Sequence, residues 1–232
     1  MSDNVFDEHA NAYDAWFEQN LGVLGSEVAM LARALGAPGR TLSVGCGSGL
    51  FEMLLARDHG IVITEGIEPA EAMAAIARKR GMTVRVGTAE EAEYGEGYDT
   101  VLFNGTPSYI ADLDRAVGKV RDALARGGRI VMADVPKESA YALLYNLGVQ
   151  LGDWEHALVK DVRPAVPYPL ELAGGANWRT TAEKIAVLQR AGLQVVESWQ
   201  TLCRHPVFTN DGVEEPLPGY DRGGYVALVA VK

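Results

Sequence analysis

The sequence predicts one α/β domain built around a mostly parallel β-sheet. Apolar runs typical of strands alternate with segments of helical periodicity along much of the 232-residue chain, which is the pattern of successive βαβ units. A glycine-rich turn joins the first of these strands to the helix after it. Hydrophobic residues make up 48% and charged residues 22% of the chain, a composition that supports a sizeable core. We therefore expect residues 1–232 to form a single domain.

Two helices are predicted before the first strand. Apolar side chains recur at helical spacing from Phe6 to Leu21 and again from Leu24 to Leu35. A glycine and a proline shortly afterwards end the second pattern. Residues 1–36 are accordingly predicted to be N-terminal cap helices.

The central part of the chain alternates regularly between strands and helices. The first strand, TLSV, is followed by a helix from Leu50, a strand at Ile61–Ile67 and a helix at Ala70–Gly81. A short strand at Val84–Val86 and the strand YDTVLFN come next. A helix ending at Gly127-Gly128 and the strand RIVMADV complete the predicted series. Right-handed crossovers between such strands produce the parallel part of the sheet.

The alternation breaks after Pro136. Residues 137–179 combine a helix-like aromatic segment with a Pro-rich loop, which predicts an inserted helical lid. Thr180, followed three residues later by Glu183, predicts a capping box at the start of the next helix. The segments LQVVESWQTL and GGYVALVAV, joined by a long loop, predict two final strands with an antiparallel edge.

Composition narrows the classes of function. A formal net charge of −10 and a pI near 4.9 disfavour nucleic acid, whose phosphates are bound by Lys and Arg. The acidic start argues against a basic targeting peptide, and no apolar run reaches the roughly 18 residues of a membrane span. Two cysteines are too few to staple a secreted fold. We expect a cytoplasmic protein with reduced thiols that acts on a small molecule and does not bind membranes.

The turn Gly45-Cys46-Gly47-Ser48-Gly49 leaves a buried strand and opens a helix. Glycines there let the backbone approach a ligand closely, with N–H groups facing it, as in a nucleotide cradle. The dinucleotide fingerprint G-x-G-x-x-G requires a third glycine where this chain has Leu50, which weakens an NAD interpretation. A purely structural turn is the alternative explanation.

Two further features follow the next two strands. Glu68 ends the second strand 19 residues after the last glycine, the position from which a carboxylate reaches a ribose diol. A solvated loop carboxylate is the alternative. After the third strand, Thr88, Ala89 and Glu90 lie where an adenine ring would sit, although alone they read as a polar turn.

Together, the motifs VGCGSG, GIEPAEAM, GTAEE, YDTVLFNG and LARGGRIVMADV resemble, in that order, the class I S-adenosylmethionine-dependent methyltransferases of the small-molecule, type 11-like kind. The opening FDEHANAYDAWF is similar to the start of many such enzymes, in which an N-terminal helix closes over the cofactor. The resemblance implies a Rossmann-like, doubly wound sheet of seven strands with an antiparallel last strand, and S-adenosylmethionine as the cofactor with no metal. It implies these cofactor contacts: Gly45, Cys46, Gly47 and Gly49 at the methionine portion, Glu68 at the ribose, Ile67, Ala89 and Glu90 around adenine, and Asn104 and Gly105 near the transferred methyl.

The chain departs from the family pattern at one position of the cradle. Members often carry an acidic residue two places before the first glycine, where this chain has Ser43. How the methionine amino group is held is therefore open. The loop after the fourth strand, with Asn104, Pro107 and Tyr109, is loosely similar to the Asn/Asp-Pro-Pro-aromatic loop of amino-methylating enzymes.

Methyl transfer from a sulfonium mainly requires alignment of the nucleophile and exclusion of water. A base is needed only for a protonated acceptor, and the candidates are His156, His205 and Tyr13, although a lone histidine is more often a surface residue. Aromatic side chains of the two predicted cap segments are candidates for acceptor contacts or, alternatively, for core packing. These substrate candidates are Tyr13, Trp16, Tyr109, Tyr145, Tyr168 and Trp178.

Three functional hypotheses follow from the sequence. The first is a methyltransferase acting on O, N or C of a small molecule. The second is a methyltransferase-like cofactor-binding or regulatory protein without turnover, which Ser43 and the lack of an evident base keep open. The third is a nucleotide-dependent oxidoreductase, which Leu50 disfavours.

Overall fold

The computed structural model describes residues 5–232, except for the side chains of Val5, Glu8 and Asn11. The first four residues of the predicted 1–36 cap lie outside the described part. The helices are α1 Val5–Gln19, α2 Leu21–Leu35, α3 Leu50–His59, α4 Glu71–Lys79, α5 Leu113–Ala123, α6 Ala140–Leu151, α7 Leu170–Gly174 and α8 Thr181–Arg190. The strands are β1 Thr41–Val44, β2 Glu65–Glu68, β3 Thr83–Val86, β4 Tyr98–Asn104, β5 Leu124–Asp134, β6 Gln194–Thr201, β7 Leu217–Pro218 and β8 Tyr225–Val231.

The strands form one sheet in the order β3-β2-β1-β4-β5-β8-β6-β7. β1 to β5 pair in parallel, and β8 is antiparallel to both β5 and β6. This confirms the predicted α/β class and the antiparallel last strand. The sheet has eight strands rather than the predicted seven, because the two residues of β7 pair with β6 at the edge.

Helices cover both faces of the sheet, as side-chain alternation along each strand requires. On β4, Leu102 packs into a core with α1, α2 and α3, whereas its neighbours Val101 and Phe103 pack on the opposite face with α5 and α8. Both α1 and α2 therefore belong to one helical layer. Within residues 5–232, none of the helices is long and apolar enough to cross a membrane.

Two predicted boundaries differ from the observed ones. The helix predicted to end at Gly127-Gly128 ends at Ala123, because Leu124 already pairs with Tyr98 of β4. The strand predicted at Ile61–Ile67 begins only at Glu65. The predicted capping box is confirmed at the start of α8, where the Thr180 side chain and Glu183 accept each other's backbone N–H.

The predicted lid segment, residues 137–179, lies between β5 and α8 and contains α6 and α7. Aromatic contacts join it to α1. The Trp16 and Tyr168 rings meet edge to face with centroids 4.9 Å apart, and the Trp16 Nε1–H donates to the Val166 carbonyl at 3.1 Å. The segment and α1 are therefore in direct contact.

Candidate functional site

A cavity of about 680 Å³ lies at the carboxyl ends of the parallel strands, between the sheet edge, α1 and the 137–179 segment. Its size is that of a small-molecule site. Residues of three kinds line it: the glycine turn and strand ends (Gly45, Gly47, Glu68, Asn104, Gly105, Asp134), the loops after β2 to β4 (Pro69, Gly87, Thr88, Ala89, Glu90, Thr106, Ser108, Tyr109, Ile110, Ala111) and the remaining elements (Phe6, Asp7, Tyr13, Trp16, Phe17, Glu27, Met73, Val135, Tyr145, Tyr168, Gly175, Trp178, Tyr225).

The glycine turn is held in place by hydrogen bonds to β2. The Ile67 carbonyl accepts the N–H groups of Gly45 and Cys46 at 2.7 and 3.1 Å. Gly47 has a φ of 55°, and a Cβ added there would meet nothing within 4 Å because it would point into open space. The backbone at Gly47 therefore offers room for close approach of a ligand.

Glu68 lies at the end of β2 and is buried beside this turn. Its two oxygens accept the N–H groups of Gly47 and Ala70, each at 2.9 Å. Burial raises the pKa of Glu68 to about 7, against the lowering effect of the two amide donors. A carboxylate has about four acceptor positions, so capacity for ligand hydroxyls remains on the cavity side.

Ser43, the departure from the family pattern, donates its hydroxyl hydrogen to Glu52 Oε1 at 2.6 Å. Glu52 comes from the first turn of α3 and is 3% exposed, and its burial raises its pKa. Its other oxygen, Oε2, has no hydrogen-bond partner among the described residues. Glu52 lines a small hollow of about 20 Å³ that shares Tyr13, Gly45 and Gly47 with the main cavity. A buried carboxylate thus stands next to the place where the sequence has a serine.

Helix α1 is fastened to the glycine turn by polar contacts. Asp14 Oδ1 accepts the Ser48 hydroxyl at 2.6 Å, and Asp14 Oδ2 pairs with Arg80 Nη2 at 2.8 Å. Arg80 Nη1 also donates to the Ser48 carbonyl at 2.9 Å. This Asp14–Ser48–Arg80 latch holds α1 across the mouth of the site.

Further acidic and aromatic side chains line the cavity. Glu27, on α2, is 6% exposed, and burial and then nearby Asp134 raise its pKa to about 8. Asp134 itself pairs with Lys184 Nζ at 2.8 Å and accepts the Ser108 hydroxyl at 2.7 Å. The Tyr225 hydroxyl donates to Asn104 Oδ1 at 2.8 Å.

The residues implied as cofactor contacts do not all reach the cavity. Gly45, Gly47, Glu68, Ala89, Glu90, Asn104 and Gly105 line it. Cys46 lines only the small hollow, and Ile67 and Gly49 line neither. Ile67 is fully buried in the core, and a Cβ at Gly49 would strike Met82 Sδ at 2.8 Å, so both serve packing of the turn.

Some of the predicted base and substrate candidates line the cavity, and others do not. His156 and His205 are exposed and line neither space, and the Nδ1 of each accepts a local backbone N–H. All six aromatic candidates, Tyr13, Trp16, Tyr109, Tyr145, Tyr168 and Trp178, line the main cavity.

Sequence reasoning missed Glu27, Glu52 and Asp134. For Glu27 a signal existed, since it is the only acidic residue in the apolar helix LGVLGSEVAMLARAL.

A parallel sheet that brings a glycine turn and a strand-end carboxylate to one cavity defines a nucleoside-binding α/β protein. A family model described as a methyltransferase domain matches residues 16–198. The chain belongs to this methyltransferase family, has its class I fold and uses S-adenosylmethionine as cofactor.

Relatives extend over the whole chain. A solved Thermotoga maritima protein, described as a S-adenosylmethionine-dependent methyltransferase and possible histamine N-methyltransferase, is 28% identical with a TM-score of 0.82 and 98% coverage of both chains. An uncharacterised Methanocaldococcus jannaschii protein is 29% identical over 99% of both chains. A trans-aconitate 2-methyltransferase of a Mycobacterium species is 25% identical over 79% of this chain and 68% of its own length.

Proposed function

We propose that this methyltransferase transfers a methyl group from S-adenosylmethionine to an oxygen, nitrogen or carbon atom of a small molecule held in the cavity. One observation carries the proposal: one cavity joins the glycine turn and Glu68 to a second group of acidic and aromatic side chains. The former suits the cofactor and the latter an acceptor. The names of two relatives refer to an amine and to a tricarboxylic acid, so the relatives support methyl transfer without fixing the acceptor.

The residues present fit the cofactor. Glu68 accepts the ribose hydroxyls through its free acceptor positions, and the space at Gly47 admits the methionine portion. Ala89 and Glu90 line the part of the cavity assigned to adenine. Many family members have an acidic residue at the position of Ser43. In this chain Glu52, which accepts the Ser43 hydroxyl and whose Oε2 lacks a partner among the described residues, binds the methionine ammonium in its place.

Bound S-adenosylmethionine supplies a methyl group on a positively charged sulfur, which leaves as a neutral thioether. The chain's contribution is to align the acceptor and exclude water. The Asp14–Ser48–Arg80 latch and the 137–179 segment close the cavity, and we assign them the role of a lid that opens for exchange. The two free cysteines agree with the cytoplasmic location we propose.

Calorimetry with S-adenosylhomocysteine and with NAD tests the cofactor assignment. We expect binding of the former alone, and tight binding of NAD without S-adenosylhomocysteine would refute it in favour of an oxidoreductase. Incubation with methyl-labelled cofactor and a small-molecule extract then tests turnover. Cofactor binding with no labelled product across such extracts would favour the regulatory alternative.

Limited proteolysis tests the lid. Cleavage within residues 5–23 or 137–179 should be suppressed by S-adenosylhomocysteine, because closure orders both segments. Equal cleavage with and without it would contradict the lid role and leave the methyltransferase assignment intact.

A further inference from the structure

The described lining of the cavity contains acidic side chains but no basic ones. Among the described lining residues there are five carboxylates and no Lys, Arg or His. The five are Asp7, Glu27, Glu68, Glu90 and Asp134. Low-dielectric walls strengthen the field of such charges inside a cleft. The cavity therefore favours cations and disfavours anions.

Four of these carboxylates already have partners. Backbone N–H groups donate to Asp7, Glu68 and Glu90, and Lys184 pairs with Asp134. Glu27 differs, because the described part of the chain offers its side chain neither a hydrogen bond nor an ion pair. Ionising a buried carboxyl group without a partner is costly, and for Glu27 this cost raises the pKa to about 8. A ligand cation would offset that cost and favour the ionised form.

Glu27 lines the same cavity as Tyr13, Tyr225 and Asn104. Burial and then nearby Glu27 raise the pKa values of Tyr13 and Tyr225 well above the ordinary value. Tyr225 in turn donates to Asn104, at the end of β4. Glu27 therefore shares one cavity with Asn104 and Gly105, the residues implied to lie near the transferred methyl.

Aromatic rings also line this cavity. The Tyr145 ring lies 5.6 Å from the Tyr168 ring and 6.2 Å from the Trp178 ring, with interplanar angles of 32° and 39°. Trp16 stands edge-on to Tyr168. Aromatic faces around a carboxylate attract alkylammonium groups through cation–π interactions.

We propose that the acceptor is a small alkylamine or arylalkylamine that enters as its ammonium ion, and that Glu27 both binds this ion and takes one proton from it. The inference rests on the proposed function and names its substrate class. Proton transfer gives the neutral amine and a neutral Glu27 carboxylic acid. The nitrogen lone pair then forms the N–C bond while the S–C bond breaks with its electron pair left on sulfur. The product is a methylated ammonium ion, and the Glu27 proton returns to solvent.

Binding to the protein saturated with S-adenosylhomocysteine tests the inference. The probes are 2-phenylethylamine, butylamine and histamine, compared with the uncharged 2-phenylethanol and butanol and with the anion trans-aconitate. We expect at least one of the two matched amines to bind about tenfold or more tightly than its own alcohol, the scale of one hydrogen bond to a charged group. With methyl-labelled cofactor, the same amine should become labelled.

Two variants isolate the carboxylate. Glu27→Gln should abolish the preference for the amine while S-adenosylhomocysteine affinity stays within about twofold. Glu93→Gln removes an equal charge from an exposed loop position and should change neither affinity. Because the amine-against-alcohol comparison uses the unmodified protein, it stands even if Glu27→Gln does not fold.

Several results would overturn the inference: equal affinity of each amine and its alcohol, no binding of any amine, tighter binding of trans-aconitate, or a preference that Glu27→Gln leaves unchanged. Each can occur while S-adenosylhomocysteine still binds. Failure of the unmodified protein to bind S-adenosylhomocysteine would instead refute the proposed function.

Discussion

Replacement of Glu68 by glutamine separates two roles that the structure gives to one carboxylate. Each Glu68 oxygen accepts a backbone N–H, from Gly47 or Ala70, at 2.9 Å. Glutamine keeps one carbonyl oxygen and turns its NH₂ donor toward the second N–H. A buried N–H left without an acceptor costs about 1–3 kcal/mol, so we expect the free energy of unfolding to fall by that amount.

The effect of Glu68→Gln on cofactor binding is expected to be larger than its effect on the turn. A hydrogen bond from a ribose hydroxyl to a charged acceptor contributes about 1.5–3 kcal/mol, so affinity for S-adenosylhomocysteine should fall roughly 10- to 100-fold. Calorimetry at pH 8 measures this, since the pKa of Glu68 is raised to about 7 and the carboxylate is then mostly ionised. Thermal unfolding without ligand measures the stability loss separately.

Glu65→Gln is the matched control, because it removes the same charge from the same strand. Its side chain binds Arg40 and Tyr98 and lies outside the cavity. An unchanged dissociation constant in folded Glu68→Gln would refute the ribose role. An equal loss in Glu65→Gln would show that the effect is one of net charge.

Three other predictions concern neighbouring features. Gly47→Ala should lower S-adenosylhomocysteine affinity roughly tenfold or more, because the added methyl group fills the space through which the ligand approaches. Gly60, at the end of α3, has a similar positive φ, so both Gly47→Ala and Gly60→Ala should lose about 1–2 kcal/mol of stability but only Gly47→Ala should lose affinity. Equal affinities of the two variants in calorimetry would contradict a role of the glycine turn in cofactor binding. Lys184→Met leaves Asp134 buried without its cation and should cost about 3–5 kcal/mol in denaturant unfolding, a loss below 1 kcal/mol being the contrary result. Glu27 has an ordinary pKa of 4.5 and a folded pKa of about 8, so its contribution to stability is complete below pH 4.5 and is lost as pH rises through 8. The Tm of the ligand-free protein should therefore fall from pH 6 to 9, and less steeply in Glu27→Gln; parallel curves would contradict the burial argument.

The fold followed from the sequence wherever local pattern and strand pairing agree. The spacing of apolar residues predicted α1 and α2, and the capping box marked the start of α8. Pattern failed where pairing decides. Ile61 and Ile63 alternate like strand residues and are buried, but Leu42 pairs with Glu65, so these residues lie beyond the start of β1 and have no partner strand there. Apolar alternation alone does not reveal where a neighbouring strand begins.

The site divides in the same way. Residues in consecutive motifs, such as Gly47 and Glu68, could be found because chain spacing encodes their position at the strand ends. Glu27 could be noticed as the acidic residue of an apolar helix, but its approach to Asp134 could not be predicted, because it depends on how α2 packs on the sheet. The pairing of Asp134 with Lys184 likewise depends on the tertiary structure. Glu52 was hidden by the same cause, since only the helix geometry shows that it reaches Ser43.

The acidic lining of the cavity treats the methyl donor and its spent product differently. S-adenosylmethionine carries one more positive charge than S-adenosylhomocysteine, while the two share nearly the same shape. A wall of carboxylates without a lysine, arginine or histidine among its described residues attracts the former more strongly. We therefore expect electrostatics rather than shape to favour binding of the fresh donor over the spent product, which would limit product inhibition.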